Sequence, residues 1–129
     1  MVAIVNHDDL PEIPWRESYR VWDITGSTVG ISSNLSYGRV APGAGAPLHH
    51  HDFDELIVVL AGVLETQVGD QTHRVGANHT IVIPPQVPHK FFCVGPTDAQ
   101  LLTFFPTARP FESTTYIEGE PPAAHKKVT

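Results

Sequence analysis

Residues 43–62 read GAGAPLHHHDFDELIVVLAG and carry the most informative pattern in the sequence. A glycine-rich turn leads into three consecutive histidines, which are followed by an acidic loop and an apolar run. Because side chains alternate between the two faces of a strand, His49 and His51 point one way and His50 points the other way. Glu55 has the parity of His49 and His51, so its carboxylate can face the same point. Two imidazoles and one carboxylate on one face predict a site for a divalent transition-metal ion with open coordination positions.

The spacing of these residues resembles the first sequence motif of the cupin superfamily. That motif is a glycine, five residues, His-x-His, three residues, a glutamate, six residues and a second glycine. Every spacing is met in this chain, at Gly43, His49, His51, Glu55 and Gly62.

A partial copy of the second cupin motif follows at residues 78–93. Pro84 and His89 match this motif, whereas three positions depart from it. The departures are Asn78 and Gln86, which stand where glycines are usual, and Cys93, which stands where an asparagine is usual. The resemblance implies an all-β fold, the double-stranded β-helix (jelly-roll) barrel of the cupin type. It also implies that His89 is a further metal ligand.

The metal site implied by the resemblance consists of His49, His51, Glu55 and His89. Such ligands suit one divalent transition-metal ion, which would be iron, manganese, nickel, cobalt, copper or zinc, and suit calcium or magnesium poorly. Four protein ligands leave up to two positions of a six-coordinate ion open for water, dioxygen or a chelating substrate. Glu55 could also serve as a catalytic base. Two alternatives stay open, namely a ligand set that uses His50 and a cupin that has these residues but holds no metal in use.

Composition limits the kinds of partner. The chain has 129 residues and a formal net charge of −6, which favours one globular domain and argues against binding a nucleic-acid backbone. Twelve prolines and ten glycines divide it into short segments and argue against long helices. Cys93 is the single cysteine, so no intrachain disulfide is expected. No apolar run is long enough for a signal peptide or a membrane span, so we expect a cytoplasmic protein with no membrane partner.

Short β-rich segments separated by turns predict eight to ten strands. We expect an extended N-terminal lead-in at residues 1–20, the cupin barrel at 21–118 and a flexible C-terminal tail at 119–129. The run 56–60 is apolar on both faces, which predicts that its outward side is covered by the N-terminal segment or by a second subunit. Its outward residues are Leu56, Val58 and Leu60. Because dimers are common among the proteins that this chain resembles, we expect a homodimer.

An apolar substrate pocket is expected beside the metal. The predicted pocket residues are Tyr37, Arg39, Ile57, Val59, Thr66, Gln86, Phe91, Cys93 and Phe104. The sequence does not fix the register of the strand at residues 35–40, so Tyr37 and Arg39 lie either at the pocket mouth or on an exposed strand face. Such a pocket favours a small neutral or mono-anionic substrate that bears oxygen and chelates the ion.

Two classes of function fit these features. A metalloenzyme would be a dioxygenase, or a lyase or isomerase in which the ion acts as a Lewis acid on a carbonyl or carboxylate. A non-catalytic module would sense or store a small molecule or a metal, and one fold hosts both functions. The complete ligand set favours the enzyme.

Overall fold

A computed structural model describes residues 2–26 and 28–125, and their strands form two antiparallel sheets. The six-stranded sheet contains, in spatial order, β1 (Glu12–Arg16), β2 (Tyr19–Asp23), β3 (Asn34–Val40), β10 (Ala99–Phe105), β5 (Glu55–Ala61) and β8 (His79–Ile83). The five-stranded sheet contains, in spatial order, β11 (Thr114–Tyr116), β4 (Gly45–His51), β9 (His89–Cys93), β6 (Leu64–Val68) and β7 (Gln71–Val75). Short 3-10 helices lie at His7–Asp9, Pro110–Ser113 and Ala123–His125.

The two sheets pack together as a jelly-roll barrel, which confirms the all-β prediction. Along the chain, β3 lies in one sheet, β4 in the other and β5 in the first again, so the chain crosses repeatedly between the layers. All the pairings among these strands are antiparallel. In the part of the chain that the structure describes, no helix has the length and apolar character needed to cross a bilayer.

Strand β5 shows the alternation that the sequence predicts. Ile57 and Val59 are each 1% exposed and pack inside the barrel. Leu56 and Val58 are half-buried on the opposite face, and Leu60 on that face is 44% exposed. The inward side of the strand therefore belongs to the barrel core, and the outward side forms part of an apolar outer surface.

One end of the barrel is closed by a tightly packed apolar core. Val40, Leu64 and Ala99 are fully buried at this end. Gly62 turns the chain there with a φ of +80°, and a Cβ on this residue would lie 2.6 Å from the Cα of Ala99. Any side chain at Gly62 would need both an unfavourable left-handed backbone and a displaced neighbour. The inward side chains at this end thus serve packing.

The N-terminal part differs from the extended lead-in predicted for residues 1–20. Glu12–Arg16 forms β1, which pairs with β2 at the edge of the six-stranded sheet. Proline has no N–H to donate to a neighbouring strand. Pro14 is tolerated here because β1 is an edge strand, and one side of an edge strand has no partner. Two prolines in the stretch, Pro11 and Pro14, are the reason why the sequence pattern did not indicate a strand.

The predicted C-terminal tail, residues 119–129, also contacts the barrel over its described part. Pro122 is fully buried, and the 3-10 helix Ala123–His125 packs near β1. The remaining residues of the predicted tail, 126–129, lie outside the described residues.

Candidate metal centre and adjoining cavity

Three strands bring the four predicted ligands together. β4 carries His49 and His51, which its alternation turns inward, and Glu55 begins β5 directly after the acidic loop. His89 begins β9 and lies opposite His49 in the pairing of the two strands. All four side chains are buried, with exposed fractions between 1% and 7%.

The inner nitrogens of the histidines converge on the glutamate. The Nε2 atoms of His51 and His89 lie 3.1 Å and 2.9 Å from Oε1 of Glu55. One ligand atom from each of the four residues can be chosen so that all four lie within 4.8 Å of one another. This is close to the roughly 3–4 Å separations of ligand atoms that each lie about 2.1 Å from one ion.

The outer nitrogens fix the orientation of each ring. Nδ1 of His49 lies 2.6 Å from the carbonyl oxygen of Pro47, and Nδ1 of His89 lies 2.9 Å from that of Val87. A carbonyl oxygen only accepts hydrogen bonds, so each Nδ1 carries the proton and each Nε2 presents a lone pair inward.

The third histidine is oriented by a hydroxyl group. Nδ1 of His51 lies 2.6 Å from Oγ1 of Thr114, which itself donates to the carbonyl oxygen of Pro110 at 2.7 Å. Because the Thr114 proton is used in that bond, its oxygen accepts from His51 Nδ1. Thr114 therefore holds His51 in the same tautomer as the other two rings.

This arrangement fits a metal cation. With their protons on Nδ1, His51 and His89 face the Glu55 carboxylate as acceptors facing an acceptor. Such a contact requires either an added proton on an imidazole or a cation at the centre of the group. Three imidazoles and a carboxylate are ligands that divalent transition metals prefer, so these residues can hold such an ion.

The electrostatics favour the metal-binding forms of two ligands. Burial lowers the pKa of His49 to about 4, and the nearby charge of His89 acts in the same direction. Burial by itself raises the pKa of Glu55, but in the metal-free protein an added proton lets the imidazoles of His51 and His89 donate to the carboxylate, and these hydrogen bonds outweigh burial and bring the pKa to about 2. At neutral pH His49 is therefore neutral and Glu55 ionised, as metal ligands must be.

His50 does not take part in this group. It is half-buried on the other face of β4, opposite Thr115 of β11. Its Nδ1 has no hydrogen-bond partner among the described residues. The metal-binding group contains the neighbours of His50 on both sides, as the strand parity predicts.

A cavity of about 220 Å³ lies beside the metal-binding group inside the barrel, and His49, His51 and Glu55 line it. Six aromatic side chains contribute to its walls, namely Trp15, Tyr19, Phe91, Phe105, Phe111 and Tyr116. A smaller set of polar side chains reaches the same space, namely Arg16, Asp23, Asn34, Ser36, Thr103 and Thr114. The cavity can therefore enclose a small, mostly flat molecule with a few oxygen atoms.

Phe91 is the member of the predicted pocket set that lines this cavity. Tyr37 and Arg39 lie instead on the outer face of β3, because Ser36 and Gly38 face inward. The Tyr37 hydroxyl donates to Oε1 of Gln100 at 2.8 Å on that face.

The other predicted pocket residues lie in three different places. Ile57, Val59, Thr66 and Cys93 are buried in the packed barrel core, away from the cavity lining. Phe104 has the outward parity of β10 and is half-buried, whereas Phe105 faces the cavity.

Gln86 lies in the exposed turn before β9, with a φ of +68°. Its side-chain amide donates to Asp52, and its backbone N–H donates to the carbonyl oxygen of His51 at 2.7 Å. Gln86 therefore supports the strand that carries a ligand but does not line the cavity.

Several cavity residues were missed because their strands are hard to recognise from sequence. Trp15 and Arg16 follow the prolines of β1. Thr114 and Tyr116 lie on a three-residue strand, but they share one parity, and that alternation is a signal that could have placed them on the inner face.

Comparison with known proteins agrees with this geometry. The family description "cupin domain" matches residues 36–105, which contain all four of the residues in the metal-binding group. The chain belongs to the cupin family.

Two Streptomyces proteins are related to this cupin in sequence. Polyketide synthase CurC of Streptomyces cyaneus is 28% identical over 102 residues, which span 78% of this chain and 66% of that protein. Protein SchB of Streptomyces halstedii is 27% identical over 119 residues, which span 91% of this chain and 86% of that protein.

Solved structures support the same fold. The polyketide cyclase RemF from Streptomyces resistomycificus superposes with a TM-score of 0.76 at 22% identity, over 93% of this chain and 88% of that one. An RmlC-like cupin from Shewanella frigidimarina superposes with a TM-score of 0.74 at 17% identity, over 84% of this chain and 94% of that one. At these identities the likeness concerns the fold.

Proposed function

We propose that this cupin is a metal-dependent enzyme of the lyase or isomerase type that closes a ring in a small poly-β-carbonyl substrate. The observation that carries the proposal is the convergence of three Nε2 atoms and a carboxylate beside an aromatic-walled cavity. The relationship to polyketide synthase CurC supports the substrate class. The choice of ring closure follows the activity named for the structural neighbour RemF.

The metal-binding residues would hold one divalent transition-metal ion. They are His49, His51, Glu55 and His89. When bound, the ion supplies a Lewis acid for a carbonyl or enol oxygen of the substrate. The protein's part is to keep the imidazoles in the right tautomer, through the Nδ1 contacts to Pro47, Thr114 and Val87.

The cavity walls would position the substrate. Rings of Trp15, Phe91 and Phe105 offer flat apolar surfaces on which a conjugated enol can pack. The volume of about 220 Å³ is smaller than the roughly 300–1,000 Å³ of typical small-molecule sites. It therefore suits a small substrate, or the reacting part of a longer chain.

Ring closure also requires two proton movements. A CH₂ group between two carbonyls gives a proton to a base, and its carbon bonds to a distant carbonyl carbon as the C=O π bond of that carbonyl breaks. The resulting alkoxide takes a proton back from the protonated base and becomes a hydroxyl. Glu55 is a poor base because its pKa lies near 2, so its metal-binding role is favoured over the catalytic one. Among the described cavity residues the other carboxylate is Asp23, whose Oδ1 accepts from Asn34 at 3.3 Å. We assign proton abstraction to Asp23.

The experiment that tests this proposal uses a linear triketo methyl ester, whose ring closure and loss of water give a phenolic ring. Metal content is measured first, on protein purified without added metal. The rise of phenol absorbance is then followed with native, chelator-treated and His89→Ala protein, in air and without oxygen. Metal-dependent turnover that continues without oxygen is expected.

Each other outcome points to a different function. Turnover that stops without oxygen would overturn the redox-neutral reaction in favour of a dioxygenase. Metal-dependent binding of the ester without any turnover would favour the non-catalytic binding module. Equal rates in native and chelator-treated protein would remove the metal from the mechanism.

We also propose that the functional unit is a homodimer. The outer face of the six-stranded sheet exposes apolar side chains on neighbouring strands, with Leu60 on β5 at 44% and Val82 on β8 at 64%. Burying such a surface against a second copy would remove it from water. Sedimentation should give a dimer at micromolar concentration, and Leu60→Glu should shift it toward monomer. A monomer in the unmodified protein would contradict this proposal.

A further inference from the structure

Arg16 brings a positive charge into the cavity wall. The pairing of β1 with β2 has a register shift between Ile13 and Arg16, and Arg16 then pairs with Tyr19. Trp15 and Arg16 both line the cavity as a result, although they are adjacent in sequence. Within the described lining, Arg16 is the one arginine or lysine.

Among the described residues this arginine differs from the other basic side chains because none of their acidic groups pairs with it. Every other arginine and lysine in residues 2–26 and 28–125 forms an ion pair: Arg20 with Glu12, Arg39 with Asp98, Arg74 with Glu65, Lys90 with Glu118 and Arg109 with Glu112. Arg16 takes part in none of the ion pairs of these described residues, which are defined by a nitrogen–oxygen distance of at most 4.0 Å. In a chain of net charge −6, a guanidinium left without a carboxylate inside a cavity is available for an anionic ligand.

Tyr116 connects Arg16 to the metal-binding group. The guanidinium carbon lies over the Tyr116 ring, 5.5 Å from its centroid. The Tyr116 ring is also nearly parallel to the imidazole of His49, with ring centroids 5.3 Å apart. One aromatic ring, that of Tyr116, therefore connects the cation to a metal-binding residue along one wall of the same cavity.

We propose that Arg16 binds an acidic oxygen, a carboxylate or enolate, of the same substrate whose chelating oxygens face the metal-binding group. This inference rests on the proposed function and narrows its substrate class to acids that chelate a metal at one end and carry a negative charge at the other. A guanidinium presents a planar set of N–H donors that matches a carboxylate, and Tyr116 holds it in place by stacking. A purely structural Arg16 would need only to cover the Tyr116 ring, and a long apolar side chain could do the same.

Two hydroxypyranones distinguish an anion-binding role of Arg16 from a purely structural one. Comenate and kojic acid share one metal-chelating hydroxyketone, but comenate carries a ring carboxylate where kojic acid carries a neutral hydroxymethyl group. Protein loaded with Co²⁺ is titrated with each compound, with heat and the visible cobalt spectrum as readouts. We expect the wild type to bind comenate about 10- to 100-fold more tightly than kojic acid, as for a hydrogen bond to a charged group.

Arg16→Met, which keeps a long apolar side chain over Tyr116, should bind both compounds equally and keep the wild-type affinity for kojic acid. Arg16→Lys keeps the charge without the planar donor set and should retain part of the preference. Arg74→Gln, on the exposed hairpin of β6 and β7, is the matched control and should keep all of it. Cobalt stoichiometry and melting temperature, measured on each variant, show that the metal-binding group is intact.

The outcomes distinguish this inference from the function on which it rests. Equal affinities of the wild type for the two compounds, or an unchanged preference in Arg16→Met, would overturn the role of Arg16 alone. A cobalt spectrum that neither compound alters would overturn the chelating site of the proposed function, and the role of Arg16 with it.

Discussion

The two ends of the barrel use the same strands for opposite purposes. At the closed end the inward positions carry apolar side chains, and Val40, Leu64 and Ala99 are fully buried there. At the other end, inward positions of neighbouring strands carry nitrogen and oxygen atoms that converge, as His49 and Glu55 do beside the cavity.

Single strands run from one environment into the other. β5 begins with Glu55 in the metal-binding group and continues inward with Ile57 and Val59 in the core, and β9 likewise runs from His89 to Cys93. The alternation that turns these side chains inward is the same along each strand. The backbone thus selects which residues face inward, and the chemistry of each side chain decides whether its position packs or binds.

Removing a candidate ligand should have the largest effect at the metal-binding end of the barrel. His89→Ala should lower the affinity for a divalent transition metal by well over 100-fold, because losing even an outer partner of a ligand costs about 10–100-fold. Metal titration with Co²⁺ or Zn²⁺ and the activity assay give the measurement. His50→Ala is the matched control, since His50 lies on the other face of the adjoining strand and should leave both quantities nearly unchanged.

Equal losses in the two variants would contradict the assignment by parity. They would instead favour the ligand set that includes His50.

A second prediction concerns the closed end. Leu64→Ala removes a fully buried side chain and should lower the free energy of unfolding by about 2–5 kcal/mol, as for other large-to-small changes in a core. Denaturant unfolding gives this value. At denaturant concentrations below the unfolding transition of the variant, the number of metal ions bound per chain should stay the same. Loss of metal binding from the still-folded variant would show that the two ends are not independent.

The grouping of the four candidate ligands was predictable because it depends on local rules. The inward direction of His49 and His51 follows from strand alternation, and the cupin resemblance supplied His89 from its distance along the sequence. The apolar core was predictable for the same reason, as the inward Ile57 and Val59 show.

The cavity wall was not predictable because its register depends on tertiary packing. β3 turns the small Gly38 inward, where a Cβ would lie 2.8 Å from Cδ1 of Leu101 and 3.2 Å from the Tyr19 ring. The larger Tyr37 and Arg39 are consequently turned outward, a choice that the sequence alone leaves open. The side chains on the adjoining strands β10 and β2 determine this choice.

The third prediction uses acid to distinguish the two ends in metal-depleted protein. Burial lowers the pKa of His49 from 6.5 to about 4, so between these values the unfolded chain binds a proton that the folded protein does not. Stability is therefore lost as pH falls from 6.5 to about 4, by on the order of 3 kcal/mol at about 1.4 kcal/mol for each pKa unit. Glu55, whose pKa is lowered from 4.5 to about 2, adds a further loss as pH falls through that lower window.

Urea unfolding of chelator-treated protein between pH 7.5 and pH 4 measures this loss. His49→Gln removes the buried titrating ring and should flatten the dependence on pH, whereas Leu64→Ala should lower stability at every pH by a similar amount. An equally steep dependence in His49→Gln would assign the acid sensitivity to other groups.

The smallest effect is expected from the outer support of the metal-binding group. Thr114→Val keeps the shape of the side chain but removes the hydroxyl that accepts from His51 Nδ1 and donates to Pro110. His51 then loses the contact that fixes its tautomer, and metal affinity should fall by about 10–100-fold while four ligands remain. Metal titration measures the change.

Two neighbouring substitutions make this last effect specific. Thr114→Ser restores the hydroxyl and should recover most of the affinity, whereas Thr115→Val changes an exposed residue that lies opposite His50 and should alter nothing. An unchanged affinity in Thr114→Val would mean that β4 alone orients His51. In that case packing of the strands would fix the geometry of the open end, as it does at the closed end. The hydrogen bonds from the outer nitrogens of the imidazoles would then add little to the orientation of the rings.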